Sequence, residues 1–429
     1  MVLPGGEPGR AVRVRGAGDR SADHGRRRRL AGRERDVNSD GGEDDGDLIE
    51  ARVELVRRMD EGGVVLSSRL AETFLNVPRH PFVPVFYRRD GERFVPWRRS
   101  DGDAREWAAR VYADDSLITE VDGVHAEDAG TEAVTGVPTS SSTAPSLMAD
   151  MLDALDVEPG ARVLEIGTGT GYNAALLCRL AGAENVVTVD VSARLTAAAE
   201  ERLGALGLSP VVRAADGAAG APGHAPFDRL IATCSVRRVP DSWLDQCMTG
   251  GLLVVPLKGT LAGGMLARLT KLPDGTAAGH LLHTPAAFMP LLSGPRPAAA
   301  PPEPADGHHR GSPLSGSVLD DWTFSFFAQL HLGPTVERDH HRTDDGRHVT
   351  TLHDPEDGSR TRVTDHGRRS GAAVVAAGPR DLWERVERAH ARWRTLNRPR
   401  REWFTVRVTP RAQTLAYAEP GGRTHTWEL

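Results

Sequence analysis

Val163-Leu-Glu-Ile-Gly-Thr-Gly-Thr-Gly-Tyr172 is the stretch that decides the fold. A short apolar run enters Gly167, Gly169 and Gly171, and the helix-forming stretch Tyr172–Leu180 follows at once. Glycines at such a bend let the backbone turn tightly and approach a ligand with no Cβ in the way. Free amides at the start of the next helix favour an anionic group beside them.

Outward from this loop the pattern is regular. Arg162–Ile166, Val186–Val189, Val211–Arg213, Phe227–Ala232 and Leu252–Pro256 are branched, apolar runs of strand length, and helical stretches such as Ala193–Leu206 lie between them. Strands alternating with helices predict a parallel sheet of βαβ units covered on both faces. The fold class expected is therefore α/β, Rossmann-like and doubly wound, with a smaller α+β domain behind it. Two further apolar runs, Met265–Leu272 and Gly279–Leu292, flank Pro273-Asp-Gly-Thr276, a hairpin signal.

The glycine loop alone is ambiguous, since Gly169-x-Gly171-x-x-Ala174 also satisfies a relaxed dinucleotide fingerprint. Three acids tilt the choice. Glu165 precedes the first glycine by two residues and is placed to face a cofactor's methionyl part. Asp190 closes the second strand, where it can accept from both ribose hydroxyls. Asp216-Gly217 follows the third strand, where an acid can accept from an adenine amino group. A nicotinamide enzyme would share Asp190 but has no need of Asp216 there. We therefore expect S-adenosyl-L-methionine, leaving as S-adenosyl-L-homocysteine, at Glu165, Gly167, Thr168, Gly169, Gly171, Asp190, Asp216 and Gly217.

The rest of the chain bounds the answer. At 429 residues, two folded domains with loose segments are expected. A net charge of −6 gives no reason to expect nucleic acid as a partner. Cys178, Cys234 and Cys247 have no metal-ligand spacing and read as reduced, buried thiols. No window approaches the roughly 18 apolar residues of a membrane span. The start lacks the apolar core of a secretory signal, so a cytoplasmic protein is expected. Residues 1–47 read as disordered, with Arg26–Arg29 a solvated charge run. Residues 48–292 read as the catalytic domain, with a polar insertion near 88–110. Residues 293–317 read as a Pro/Ala-rich linker, and 318–429 as an α+β substrate-recognition domain. In that last domain Asp381–Trp393 has helical spacing, Trp322, Phe324, Phe326 and Phe327 alternate like a strand, and Arg-rich 394–401 reads as solvated surface. The scattered histidines show no ligand spacing, so no metal is expected.

Several co-ordered segments carry a family resemblance: Phe74-Leu-Asn-Val-Pro-Arg-His-Pro-Phe-Val-Pro84, Val111-Tyr-Ala-Asp-Asp115, Ala144-Pro145, the glycine loop, Ala225-Pro-Phe-Asp228 and Leu244–Pro256. Across roughly residues 70–260 the chain resembles protein-L-isoaspartate O-methyltransferases. The resemblance implies transfer of a methyl group to a peptide carboxylate. Where the family usually reads Ser-Ala-Pro-His-Met, this chain reads Thr143-Ala-Pro-Ser-Leu147, so a hydroxyl is kept and a histidine is lost. That departure, Thr139–Thr143 and the long C-terminal part look like the branch that acts on ribosomally made, modified peptides. The leading expectation is thus methylation of an aspartate side chain on the way to aspartimide, with repair of isoaspartate in damaged proteins as the alternative.

A carboxylate, with a reference pKa of about 4, is already ionised at neutral pH and needs no general base. Neutral donors suffice to hold it, and Thr143 and Ser142 are the expected pair. Ser140–Thr143 would otherwise cap the helix that starts near Pro145.

Overall fold

The structure is a computed structural model that describes residues 43–64, 66–258, 261, 264–292, 307–343, 345–366 and 371–429. Most of the expected disordered segment 1–47, Arg26–Arg29 included, and the first part of the expected linker lie outside these residues. Within 1–50 the described part is the start of helix α1 (Glu43–Glu61); residues 51–429 form one unit.

Helix α2 (Ser68–Asn76) is capped by Ser67, whose Oγ accepts from the Leu70 amide at 3.2 Å. A small antiparallel sheet follows. Its strands are β1 (Val85–Asp90), β2 (Arg93–Arg98), β3 (Leu117–Val121), β4 (Val124–His125), β5 (Val134–Thr135) and β6 (Pro138–Ser142), in the order β4-β3-β1-β2-β5 with β6 on β3. Helix α3 (Ala104–Val111) lies between β2 and β3 in sequence. The stretch 88–110 is therefore no surface excursion. Arg88, Arg89, Arg93, Arg105 and Arg110 are exposed, while Phe94, Trp97 and Trp107 are buried, and Arg88 lies 4.3 Å over the Trp97 ring. Strand alternation, diluted by arginine, hid the core residues.

Helix α4 (Pro145–Leu155) leads into the central sheet. There β7 (Val163–Ile166), α5 (Tyr172–Ala181), β8 (Val186–Asp190), α6 (Ala193–Ala205), β9 (Val211–Ala214), β10 (Phe227–Ala232), α7 (Asp241–Asp245) and β11 (Cys247–Leu257) alternate as expected. The parallel order is β9-β8-β7-β10-β11, so the winding reverses between β7 and β10. A crevice outside the carboxyl ends of the strands forms at such a reversal. The fold is α/β, Rossmann-like and doubly wound, with additions.

Strands β12 (Met265–Lys271) and β13 (Ala277–Pro285) continue this sheet antiparallel. Asp274 Oδ1 accepts from the Thr276 amide at 3.0 Å, and Gly275 has φ +82°, as the Asp-Gly signal predicts. The expected second strand was drawn too long: it stops at Pro285, and 286–292 leave the sheet.

The C-terminal part is the expected α+β addition, and it belongs to the same compact unit as the central sheet. Strand β14 (His308–Ser312), inside the expected linker, pairs with β18 of a second sheet ordered β14-β18-β17-β16-β15. Its other members are β15 (Glu337–Arg342), β16 (His348–His353), β17 (Arg360–Asp365) and β18 (Ala372–Ala377). The last three strands, β19 (Phe404–Val408), β20 (Gln413–Ala418) and β21 (Thr424–Glu428), return to the central sheet, where β19 pairs antiparallel with β13. The sheet thus has ten strands. One apolar core runs from Leu164 and Leu230 through Leu269 and Leu281 to Val406, Phe326 and Trp383.

Trp322, Phe324, Phe326 and Phe327 belong to helix α8 (Trp322–Leu332) and not to a strand. Asp321 caps it, accepting from the Thr323 and Phe324 amides at 2.8 and 3.0 Å. A helix apolar nearly all round has no clear period, and a short apolar run then fits either template. Helix α9 (Leu382–Thr395) starts at its Asp381 cap as expected. Arg401 departs from the solvated-surface reading of 394–401: it is buried, 5.6 Å from the Trp322 ring. Among the described residues no helix is long and apolar enough to cross a membrane, and no His/Cys/Asp/Glu group of three is placed to hold a metal ion.

Candidate active site

A cavity of about 350 Å³ opens at the carboxyl ends of β7, β8 and β10. Its floor is the glycine loop, where Gly167, Gly169 and Gly171 have φ of +98°, +50° and +89°. A Cβ at Gly167 would come within 2.5 Å of Thr233 Oγ1, and one at Gly171 within 3.0 Å of Ala199 Cβ on α6. A Cβ at Gly169 would meet only the Ser141 carbonyl oxygen, 3.8 Å away across the cavity. The first and third glycines therefore let elements pack, and the second keeps the space open.

Glu165 is fully buried beneath this floor. Its Oε1 accepts from Asn173 Nδ2 at 2.7 Å and its Oε2 from Thr188 Oγ1 at 2.6 Å. Because Thr188 gives its proton to Glu165, Thr168 donates to Thr188 across their 2.7 Å contact. Burial pushes the Glu165 carboxyl up to about 7. Asn173 Oδ1 is buried in the cavity wall with no partner among the described residues. An orphaned acceptor beside a carboxylate calls for a donor, preferably cationic. The ammonium of a methionyl moiety fits that demand.

Asp190 accepts from the Gly169 amide at 2.9 Å and the Ser192 amide at 3.0 Å. Burial raises its pKa, and the backbone donors oppose the rise. A carboxylate has about four acceptor sites, so ribose hydroxyls can still be taken. Asp216 caps the short turn after β9. It is exposed, its Oδ1 accepts from the Ala218 amide at 2.8 Å, and it lies outside the cavity lining. Gly217 does line the cavity, where a Cβ would come within 2.8 Å of Ile166 and 2.9 Å of Leu291. That end is thus a narrow apolar slot suited to an adenine ring.

The opposite wall is β6 and its exit, Pro138–Thr143, with Ser116 and Ile118. The hydroxyls do not cap α4: the cap is Ala144, with no side-chain bond, and Pro145 starts the helix. Ser142 Oγ accepts from Arg79 Nε at 3.3 Å, keeping its own proton to donate. Thr143 lines the cavity, and neither its amide nor its hydroxyl bonds to any described residue.

Two contributors were missed in the sequence. Ala287–Leu292 form a strap over the cavity, held by Ser235: its amide donates to Met289 O and its carbonyl accepts from the Leu291 amide, both at 2.8 Å. Cys234 also lines the cavity, its thiol pushed up to about 12 by burial and so inert at neutral pH. The two prolines in Pro285-Ala-Ala-Phe-Met-Pro290 were the available sign that the strap is not strand.

A family model described as protein-L-isoaspartate (D-aspartate) O-methyltransferase matches residues 126–295. The protein-L-isoaspartate O-methyltransferase of Ignicoccus hospitalis is 32% identical over 57% of this chain and 99% of its own length. This chain belongs to the protein-L-isoaspartate O-methyltransferase family. The Methanopyrus kandleri enzyme of that name is 33% identical over 58% of this chain and 95% of its own. A solved structure described as a protein-L-isoaspartate O-methyltransferase is 22% identical, covering 87% of this chain and 98% of its own, with a TM-score of 0.48. The chain is accordingly a carboxyl O-methyltransferase that uses S-adenosylmethionine.

Proposed function

We propose that the chain methylates the free carboxylate of isoaspartyl residues in peptides and proteins. The observation that carries this reading is the hydroxyl-rich run Ser140–Thr143, which lines the same cavity as the glycine loop and offers neutral donors there. S-adenosylmethionine, when bound, supplies a methyl group on a cationic sulfur. Thr143 and Ser142 hold the acceptor carboxylate in line with that methyl. The strap 287–292 keeps water out, and the ionised oxygen takes the methyl with no base to accept a proton. Neutral donors suit this chemistry, because a fixed cation would stabilise the carboxylate more than the ester-like transition state. The relatives' names support isoaspartate over the aspartimide route, which reverses the order expected from the sequence.

The aspartimide reading stays second on one local observation. Ser146 stands where the family usually has histidine, in the first turn of α4, with its amide on Asp114 Oδ1 at 2.8 Å. Mass spectrometry of two peptides with the same sequence, one isoaspartyl and one aspartyl, separates the two. We expect one added methyl on the isoaspartyl peptide alone. Methylation of the aspartyl peptide alone, followed by loss of methanol, would overturn the proposal in favour of aspartimide formation.

A further inference from the structure

Arg79 lies fully buried behind the acceptor wall. Its Nη1 donates to Val111 O at 2.9 Å and Ala113 O at 3.1 Å. Its Nη2 donates to Asp115 O at 3.0 Å and to Ser142 O and Thr143 O at 3.1 Å, while Nε reaches Ser142 Oγ. No carboxylate forms a salt bridge with it among the described residues. Tyr112 accepts from its amide at 3.2 Å, and Tyr172, Asp114 and Asp115 are the ionisable groups nearest in effect. Burial pulls the guanidinium down only to about 10, so it is charged at neutral pH.

A buried cation is costly, and where it persists its donors are all engaged. Here the five donors converge on three chain segments: the end of α3, the turn before β3 and the exit of β6. The last contact matters for chemistry. In a trans peptide the C=O of one residue and the N–H of the next point in opposite directions. With Ser142 O turned onto Arg79, the Thr143 N–H points the other way, and it has no protein partner among the described residues.

We propose that Arg79 is a positioning residue for methyl transfer: its guanidinium pulls the Ser142 and Thr143 carbonyls back so that the Thr143 N–H and hydroxyl are presented to the acceptor carboxylate. The cation acts one peptide away from the acceptor and touches neither ligand. This rests on the carboxylate-acceptor reading above. Lysine cannot replace the guanidinium, because three N–H groups on one nitrogen cannot reach the spread of oxygens that five donors on three nitrogens serve.

The test uses the full chain with S-adenosylhomocysteine bound, comparing wild type, Arg79→Lys and Arg79→Ala. Hydrogen exchange over 138–143 should speed by roughly tenfold or more in Arg79→Ala, with 163–172 unchanged. Turnover of the isoaspartyl peptide should fall by roughly a hundredfold, while S-adenosylhomocysteine affinity stays within about twofold of wild type. Added guanidinium ion should restore part of the Arg79→Ala turnover, and Arg79→Lys should fall in between. Full turnover by Arg79→Lys would overturn the proposal. So would uniform acceleration of exchange, or equal loss of cofactor-product affinity and turnover with no rescue. Should Arg79→Ala not fold, Arg79→Lys decides by the same exchange and turnover measurements. A wild type inert toward the isoaspartyl peptide would count against the acceptor assignment only, because exchange needs no acceptor.

Discussion

The two walls of the cavity are built in opposite ways. The cofactor wall is one continuous piece of chain, β7, the glycine loop and the start of α5, with Asp190 from the adjacent strand closing it. The acceptor wall is assembled from β6, a turn near Ser116, the strap 287–292 and an arginine at position 79. Backbone geometry and a few acids suffice for the first. The second depends on contacts between residues distant in sequence, such as Arg79 with Ser142, 63 positions apart. A cofactor common to many enzymes can be held by a local motif, whereas an acceptor specific to one needs the tertiary fold.

The largest effect should come from outside both walls. Removing residues 404–429 strips β19–β21 from the central sheet and takes the buried Phe404, Val406, Val408, Leu415 and Tyr417 out of the core. Each such side chain contributes about 1.5–3 kcal/mol when buried, and their sum rivals the total stability of a typical protein. The truncated chain should not fold, as circular dichroism and thermal melting would show. A cooperative melt near that of the full chain would instead make the C-terminal strands an accessory.

The cofactor wall breaks next. Gly169→Val places a branched side chain at φ +50°, costing about 1–2 kcal/mol of backbone strain, and fills the gap facing Ser141. S-adenosylhomocysteine binding by calorimetry should disappear while the fold survives. Asp190→Asn should be milder. It removes the charge that receives the Gly169 and Ser192 amides and that we propose also receives the ribose hydroxyls, weakening binding by about ten- to a hundredfold.

The smallest effect is one of pH. Burial raises the Glu165 carboxyl from 4.5 to about 7. A raised carboxyl stabilises the fold fully below the unfolded value, and that contribution is lost as pH climbs through about 7. Cofactor affinity runs the other way, because the ammonium prefers the ionised acid. Affinity for S-adenosylhomocysteine should therefore rise a few-fold from about pH 6 to about pH 8 and be flat in Glu165→Gln. A flat wild-type profile would remove Glu165 from the account.

The same contrast explains what the sequence disclosed. The five parallel strands, the hairpin at Asp274-Gly275 and the placing of Glu165, Gly167 and Asp190 were legible, because each rests on period or on neighbours within a few residues. The local contacts of Asp216 were not: its Oδ1 accepts from the Ala218 amide of its own turn, while Gly217 beside it lines the cavity. The core of 88–110 was masked by its arginines, one of which, Arg88, lays its guanidinium over Trp97. The return of Phe404–Val408 to the central sheet leaves no local trace, since any amphipathic strand can pair with any open edge. Arg79 read as one polar residue in a family-like stretch, and only the fold brings Ser142 and Thr143 to it.

The division of labour between the walls is tested most directly by Thr143→Val, an isosteric change that removes the hydroxyl from the acceptor wall. S-adenosylhomocysteine affinity and turnover of the isoaspartyl peptide are measured on the same sample. We expect unchanged affinity and a drop in kcat/KM of about ten- to a hundredfold, the worth of one hydrogen bond to a charged group. Equal loss of both would contradict it, because Thr143 would then serve the cofactor and the two walls would not be distinct.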